Sequence, residues 1–289
     1  MKNKIKFLWA LVLILIPLNG QSQERVVGDL PPISSPATHE YIPGKFIWAD
    51  LVTEDIELVS TFYGEVFGWK LQDITADYKV IYLDGRAIGG IVTDSREPSD
   101  QNKPLWLGFF SVLDPDKTVD LVLEGGGKVI IEPVTIEQRG RHAVVADPEG
   151  APIGIMRSAS GDPEDFAASF SEWIWIELWS DDPEKAAEFY TFLGYDILDN
   201  WETEGLIDYV LASDGYARAG IVQNIDKGGG AGWLPYIRVE NLTQTVAKAL
   251  AHGAKVLTPA ERLKAADSVA ILEDPGGAIF AIIEWEFGS

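Results

Sequence analysis

Two short patterns set a carboxylate beside indole rings: Trp48-Ala-Asp50 and Trp175-Ile-Glu177-Leu-Trp179. Residues two apart share one face of a β-strand. In an extended chain Asp50 therefore stands beside Trp48 and Val52, and Glu177 between Trp175 and Trp179. A carboxylate packed among indoles loses water, so its pKa rises and it suits a general acid or base, or a hydrogen-bond donor. Asp50 and Glu177 are the candidate catalytic residues on these grounds. A structural reading stands beside that one: Glu177 pairs with Arg238, or Asp50 caps backbone groups at a sheet edge, as buried acids in sheets commonly do.

Other chemistry finds less support. The three histidines, His39, His142 and His252, have a spacing that suits no common metal motif, and each reads as a surface or helix-end residue. There is no cysteine to act as a thiol nucleophile and no serine in a Gly-x-Ser-x-Gly elbow. Gly125-Gly-Gly-Lys128 and Gly228-Gly-Gly-Ala-Gly232 lack the full phosphate-loop pattern, and the first follows a helix instead of preceding one. They read as a helix stop and a loop.

The elements that carry these residues are written twice. Residues 46–63, Phe-Ile-Trp-Ala-Asp-Leu through Phe62-Tyr63, align without a gap with residues 173–190, Trp-Ile-Trp-Ile-Glu-Leu through Phe189-Tyr190. Further along, Trp106-Leu answers Trp233-Leu, and Asp147-Pro-Glu-Gly150 answers Asp274-Pro-Gly-Gly277. The spacing predicts a strand over 46–52, then a helix from Glu54 that turns Phe62, Tyr63 and Phe67 inward and ends at Gly68-Trp69. A hairpin over 78–83 and 87–92 turns at Asp84-Gly85. The second half repeats the order: a strand over 106–112, a helix over 115–124 stopped by Gly125-Gly-Gly127, then strands over 129–131, 142–146 and 152–156. Domains are expected at 44–158 and 171–287, after a Pro- and Ser-rich leader at 23–43 and joined by a small-residue, acidic linker at 159–170.

The N-terminus reads as a signal peptide over 1–22, basic from Met1 to Lys6 and then apolar for 12 residues from Phe7 to Leu18. That run is short of the roughly 20 residues a spanning helix needs. The expectation is an exported protein, periplasmic or secreted, with no membrane contact after cleavage. Its 23 basic residues face 45 acidic ones, a net charge of -22, which becomes -25 once Lys2, Lys4 and Lys6 leave. Nucleic acid is not an expected partner for so acidic a chain. With no disulfides available, stability rests on buried core.

The order of strand, acidic helix start, Phe-Tyr, Gly-Trp or Gly-Tyr ending, and Asp-Pro-x-Gly turn before the last strand resembles the vicinal oxygen chelate superfamily of glyoxalases, bleomycin resistance proteins and extradiol dioxygenases. More narrowly it is similar to the tandem-domain glyoxalase-like proteins, some of them assigned as hydroxylases in secondary metabolism. The resemblance implies an α+β fold: two tandem glyoxalase-like domains, each of two βαβββ units whose sheet curls into a cup. Catalytic members hold a divalent metal there. The metal-ligand positions fall on Trp48, Leu107, Gly154 and, near the hairpin, Gly90, and on Trp175, Leu234, Ala281 and Gly220, none able to bind a metal. No metal and no other cofactor is therefore expected.

With Trp48 pointing inward, alternation places Leu107, Phe109 and Ser111 in the first cup, and Trp175, Trp179, Leu234, Tyr236 and Arg238 in the second. Such an aromatic lining with a few polar groups suits a small molecule. Two readings remain open: a metal-independent protein binding a small aromatic ligand, or a metal-independent lyase, isomerase or hydroxylase-like enzyme using Asp50 or Glu177. The second domain has the richer lining; oligomeric state is left open.

Overall fold

The computed structural model describes residues 30–94, 103–203, 206–224, 230–258 and 268–287; the expected signal peptide and the start of the leader lie outside them. The first unit runs β1 (Phe46–Thr53), α1 (Ile56–Phe67), β2 (Lys70–Thr75), β3 (Tyr78–Leu83) and β4 (Arg86–Thr93). The second runs β5 (Leu105–Ser111), α2 (Pro115–Glu124), β6 (Lys128–Ile136), β7 (Gly140–Ala146) and β8 (Pro152–Ser158). The pattern then recurs as β9 (Trp173–Ser180), α3 (Pro183–Phe192), β10 (Asp196–Thr203), β11 (Leu206–Ser213) and β12 (Tyr216–Gln223). It closes with β13 (Gly232–Val239), α4 (Leu242–Ala251), β14 (Lys255–Thr258), β15 (Val269–Glu273) and β16 (Ile279–Glu284).

Local chemistry sets these bounds. Asp55, Asp114, Asp182 and Asn241 each precede a helix and accept the backbone N–H three residues on, at 2.9, 3.3, 3.3 and 2.8 Å. Such caps satisfy one of the helix's orphan donors. Asp84-Gly85 and Asp214-Gly215 both adopt positive φ, the left-handed pair that a two-residue hairpin requires.

The strands form two eight-stranded sheets of identical order, β2-β3-β4-β1-β5-β8-β7-β6 and β10-β11-β12-β9-β13-β16-β15-β14. In each, the first strands of the two units lie antiparallel at the centre, and each pairs in parallel with the last strand of its own unit. Two tandem α+β domains with curled sheets are the result, as the resemblance implied.

The helix-side faces of the two sheets share their cores. Leu51, Tyr63, Trp69 and Trp106 pack with Ile237, Phe280 and Ile282 of the other domain, while Phe110 and Val145 pack with Ile176, Tyr190 and Trp233. Two buried phenols lock this seam. Tyr63 donates to Asp274 at 3.0 Å and Tyr190 to Asp147 at 3.2 Å, each crossing between domains. The paired Phe-Tyr and Asp-Pro motifs of the sequence thus complete each other across the pseudo-symmetric contact. Each aspartate also accepts two backbone N–H groups of its own turn. Burial pushes both carboxyls up to about 6.

Candidate functional site

The face of each sheet turned away from the helices forms a cup. In the first, β1 presents Trp48, Asp50 and Val52, and antiparallel β5 sets Phe109 opposite Trp48 and Leu107 opposite Asp50. Asp50 Oδ1 accepts from Trp48 Nε1 and from the Tyr78 hydroxyl, both at 2.8 Å. Arg139 donates to the Tyr78 oxygen at 3.0 Å and lies 3.8 Å over the Trp48 ring. Burial raises the pKa of Asp50, while the charge of Arg139 and the two hydrogen bonds pull it back. This cup is filled from within. Leu30 and Ile33 of the leader are buried against Trp48, Leu107 and Phe109, and Arg139 donates to the Pro31 carbonyl at 3.1 Å.

The second cup repeats the central pattern with different neighbours. On β9, Trp175, Glu177 and Trp179 share a face, and β13 sets Tyr236 opposite Trp175 and Leu234 opposite Glu177. Trp175 Nε1 donates to Glu177 Oε1 at 3.1 Å and the Tyr236 hydroxyl to Oε2 at 2.5 Å. Trp179, Leu234 and Tyr236 are buried together with Val269 and Ile271. Burial raises the pKa of Glu177; Tyr236, Trp175 and Trp179 oppose the rise through hydrogen bonds, and Asp208 on β11 adds to it. The phenol of Tyr236 is pushed well above its ordinary value by the same burial and by the Glu177 charge, so it remains a donor. Among the described residues, no leader-like segment packs with this lining.

Several expectations need correction. Arg238 does not reach Glu177: its guanidinium donates to the carbonyls of Ala168 and Trp285 and stacks on Phe170 and Phe287, because the end of β13 has already left the cup. Nor does Asp50 cap a sheet edge, since its strand is central and its partners are side chains. Ser111 donates to Asp162 of the linker instead of lining the cup. His142 is not a surface group: it stands against Phe109, its Nδ1 is buried without a partner among the described residues, and burial lowers its pKa to about 4. Sequence reasoning did not find Tyr78, Arg139 or Asp208. Alternation along β3 and β11 would have flagged Tyr78 and Asp208. Arg139, in the connection between β6 and β7, left no such signal.

Residues 45–155 and 174–282 each match the family model of the Glyoxalase/Bleomycin resistance protein/Dioxygenase superfamily. The chain belongs to this superfamily. Among superfamily relatives, CFP32 of Mycobacterium tuberculosis, provisionally named a glyoxylase, is 29% identical over 255 residues, spanning 86% of this chain and 98% of that one. The anthracycline biosynthesis protein DnrV of Streptomyces peucetius is 28% identical, spanning 86% of this chain and 96% of its own. The fold is shared with the Mn(II)-bound glyoxalase of Novosphingobium aromaticivorans, at TM-score 0.57 and 16% identity over 84% of this chain and 83% of that one. It is also shared with homoprotocatechuate 2,3-dioxygenase of B. fuscum, at TM-score 0.62 and 14% identity over 89% and 75%.

The residues at the superfamily's metal positions do not fit a metal. A Cβ at Gly90 would fall 2.2 Å from the Tyr78 hydroxyl and 2.4 Å from Asp50 Oδ1, and one at Gly154 would fall 2.3 Å from the Phe109 ring. The space a ligating side chain would use in the first cup is therefore taken by phenol, carboxylate and ring. In the second cup the positions carry Trp175, Gly220, Leu234 and Ala281, which offer no imidazole or carboxylate. Among the described residues no three histidine, aspartate or glutamate side chains converge to hold an ion.

Proposed function

We propose that the second cup is the working site, and that it binds a planar aromatic small molecule without a divalent metal. The observation that carries this reading is Glu177: a half-buried acid, braced by two indoles and a phenol, in a cup whose lining is largely apolar and aromatic. Indole and phenol rings supply stacking surface, and one polar group fixes orientation, which is the ordinary economy of a small-molecule pocket. Similarity to a protein named for anthracycline biosynthesis supports a polycyclic, aromatic ligand class. The basic start and apolar run of Met1–Leu18 support export, with binding taking place outside the cytoplasm.

A second reading is favoured by the raised pKa of Glu177. A carboxyl shifted upward is suited to proton transfer, as in a metal-independent lyase, isomerase or hydroxylase-like enzyme. Replacing Glu177 by Gln separates the two: binding kept with turnover lost supports the enzyme, and both unchanged overturns the site. Elemental analysis of protein purified without chelators tests the metal. A stoichiometric divalent ion would defeat the metal-free reading.

A further inference from the structure

A groove of about 1160 Å³ runs between the domains at the starts of β1 and β9, and it adjoins both cups through Trp48 and Trp175, which also line it. Its walls are residues 31–38 of the leader, 163–168 of the linker, and the hairpin segments 82–88 and 216–218. Three rings stand exposed on its rim: Phe166 at 50%, Tyr216 at 65% and Phe287 at 43%. Single exposed rings are ordinary, but three around one concavity make a stacking surface.

The groove also holds built charge. Lys45 Nζ lies 2.7 Å from Asp165, Arg218 Nη1 donates to both oxygens of Asp165 at 3.0 and 2.9 Å, and Arg86 meets Glu172 in a two-point pair at 2.9 and 3.0 Å. Asp165 and Glu172 are thus matched, while exposed Glu164 also lines the groove. One donor is unmatched: the Arg218 side chain is 7% exposed, and its Nε is buried with no acceptor among the described residues. A buried N–H without an acceptor is costly, and a guanidinium edge fits a carboxylate in a two-point contact. The exposed Tyr216 ring lies 5.4 Å from that guanidinium, and both residues line the groove.

We propose that this interdomain groove, beside the cups, is a second ligand site for a flat aromatic carboxylate that stacks on Phe166 and Tyr216 and seats its carboxylate on the unmatched Nε edge of Arg218. Lys45, Arg86 and Arg218 balance Glu164, Asp165 and Glu172 along the walls, and the unmatched Arg218 Nε offers an anion a local donor on a chain of net charge -22. The site stands whether or not the second cup binds a ligand.

The test uses the full chain with 2-naphthoate as probe and the uncharged 2-naphthalenemethanol as its partner, followed by calorimetry. Arg218→Lys keeps the positive charge and removes the Nε edge; it should weaken 2-naphthoate on the order of tenfold and leave the alcohol unchanged. The exposed pair Phe166→Ala and Tyr216→Ala, which leaves the core intact, should weaken both probes while the melting temperature holds. Absence of saturable 2-naphthoate binding, or retention of full affinity in the double aromatic variant or in a folded Arg218→Lys protein, would overturn the proposal.

Discussion

Asp50 and Glu177 occupy the same place in two copies of one sheet, yet their surroundings have opposite character. Asp50 shares its cup with a guanidinium and with a leader that fills the space; the described neighbours of Glu177 are indoles, a phenol and a second acid, Asp208. The exchange behind this is specific. Register puts Tyr78 and Asp208 at matching positions, opposite Val92 and Val222, and Phe109 and Tyr236 at matching positions, opposite Trp48 and Trp175. In the first cup the phenol comes from the hairpin and relays to Arg139; in the second it comes from the central strand and points straight at the acid. A duplicated fold has kept its acid twice, once beside a guanidinium and a packed leader, once among indoles, a phenol and a second acid.

Breaking the first cup should have the largest effect. Arg139→Met leaves Asp50 buried without its cation and the Pro31 carbonyl without its donor. Removing one partner of a buried charged set costs about 3–5 kcal/mol. Chemical denaturation should show a loss of that size; a loss under about 1 kcal/mol would mean that Arg139 and the leader merely rest on the cup.

The seam provides a control in which the two domains should behave alike. Asp147 and Asp274 have folded pKa values of about 6 against an ordinary 3.8, because both are buried. A raised folded pKa means that the folded state holds the proton more tightly. The stability this gives is full below the unfolded pKa and is lost as pH rises through about 6. Each shift corresponds to roughly 3 kcal/mol. Asp147→Asn and Asp274→Asn should flatten the fall in stability between about pH 4 and pH 6 by similar amounts, measured by denaturation at a series of pH values. Unequal flattening would show that the seam shares the asymmetry of the cups.

Packing offers a finer comparison. A Cβ at Gly90 meets the Tyr78 hydroxyl and Asp50 at 2.2 and 2.4 Å, whereas one at Gly220 meets Glu177 Cγ at 2.9 Å. Overfilling a tight site costs about 1–3 kcal/mol, so Gly90→Ala should fall in that range and Gly220→Ala below it. Equal losses would contradict a first cup locked more tightly than the second.

The repeat made most of the fold legible. Eighteen-residue blocks with one hydrophobic pattern gave the strand–helix order, and alternation placed Trp48 with Asp50, and Trp175 with Glu177, Trp179 and Tyr236, on shared faces. Alternation carries only as far as the strand stays in the cup, which is why Arg238 has the right parity and the wrong place. What filled the first cup came from outside the repeat: Leu30 and Ile33 from the leader, and Arg139 from the connection between β6 and β7. Such contacts depend on how segments distant in sequence close over a sheet, and no local period encodes them. His142 was hidden for a related reason, since its facing follows only from the register of β7 on β8.

The smallest expected effect on stability is the one that decides function. Glu177→Gln keeps the shape of the side chain and an oxygen to accept from Trp175, reverses the Tyr236 hydrogen bond so that the amide donates to the phenol oxygen, and removes a charge that burial disfavours. Stability should change by less than about 1 kcal/mol at neutral pH. Glu177, with its raised pKa, contributes stability that is full at low pH and lost as pH rises, so the variant should also lose that part of the pH slope. Affinity for the aromatic ligand should nonetheless drop about tenfold if the carboxylate is the polar anchor, while the matching Asp50→Asn in the first cup should leave affinity untouched and lower stability instead. If Glu177→Gln cost stability as Arg139→Met does and left binding alone, both cups would be core, and the working site would have to be sought elsewhere on the molecule.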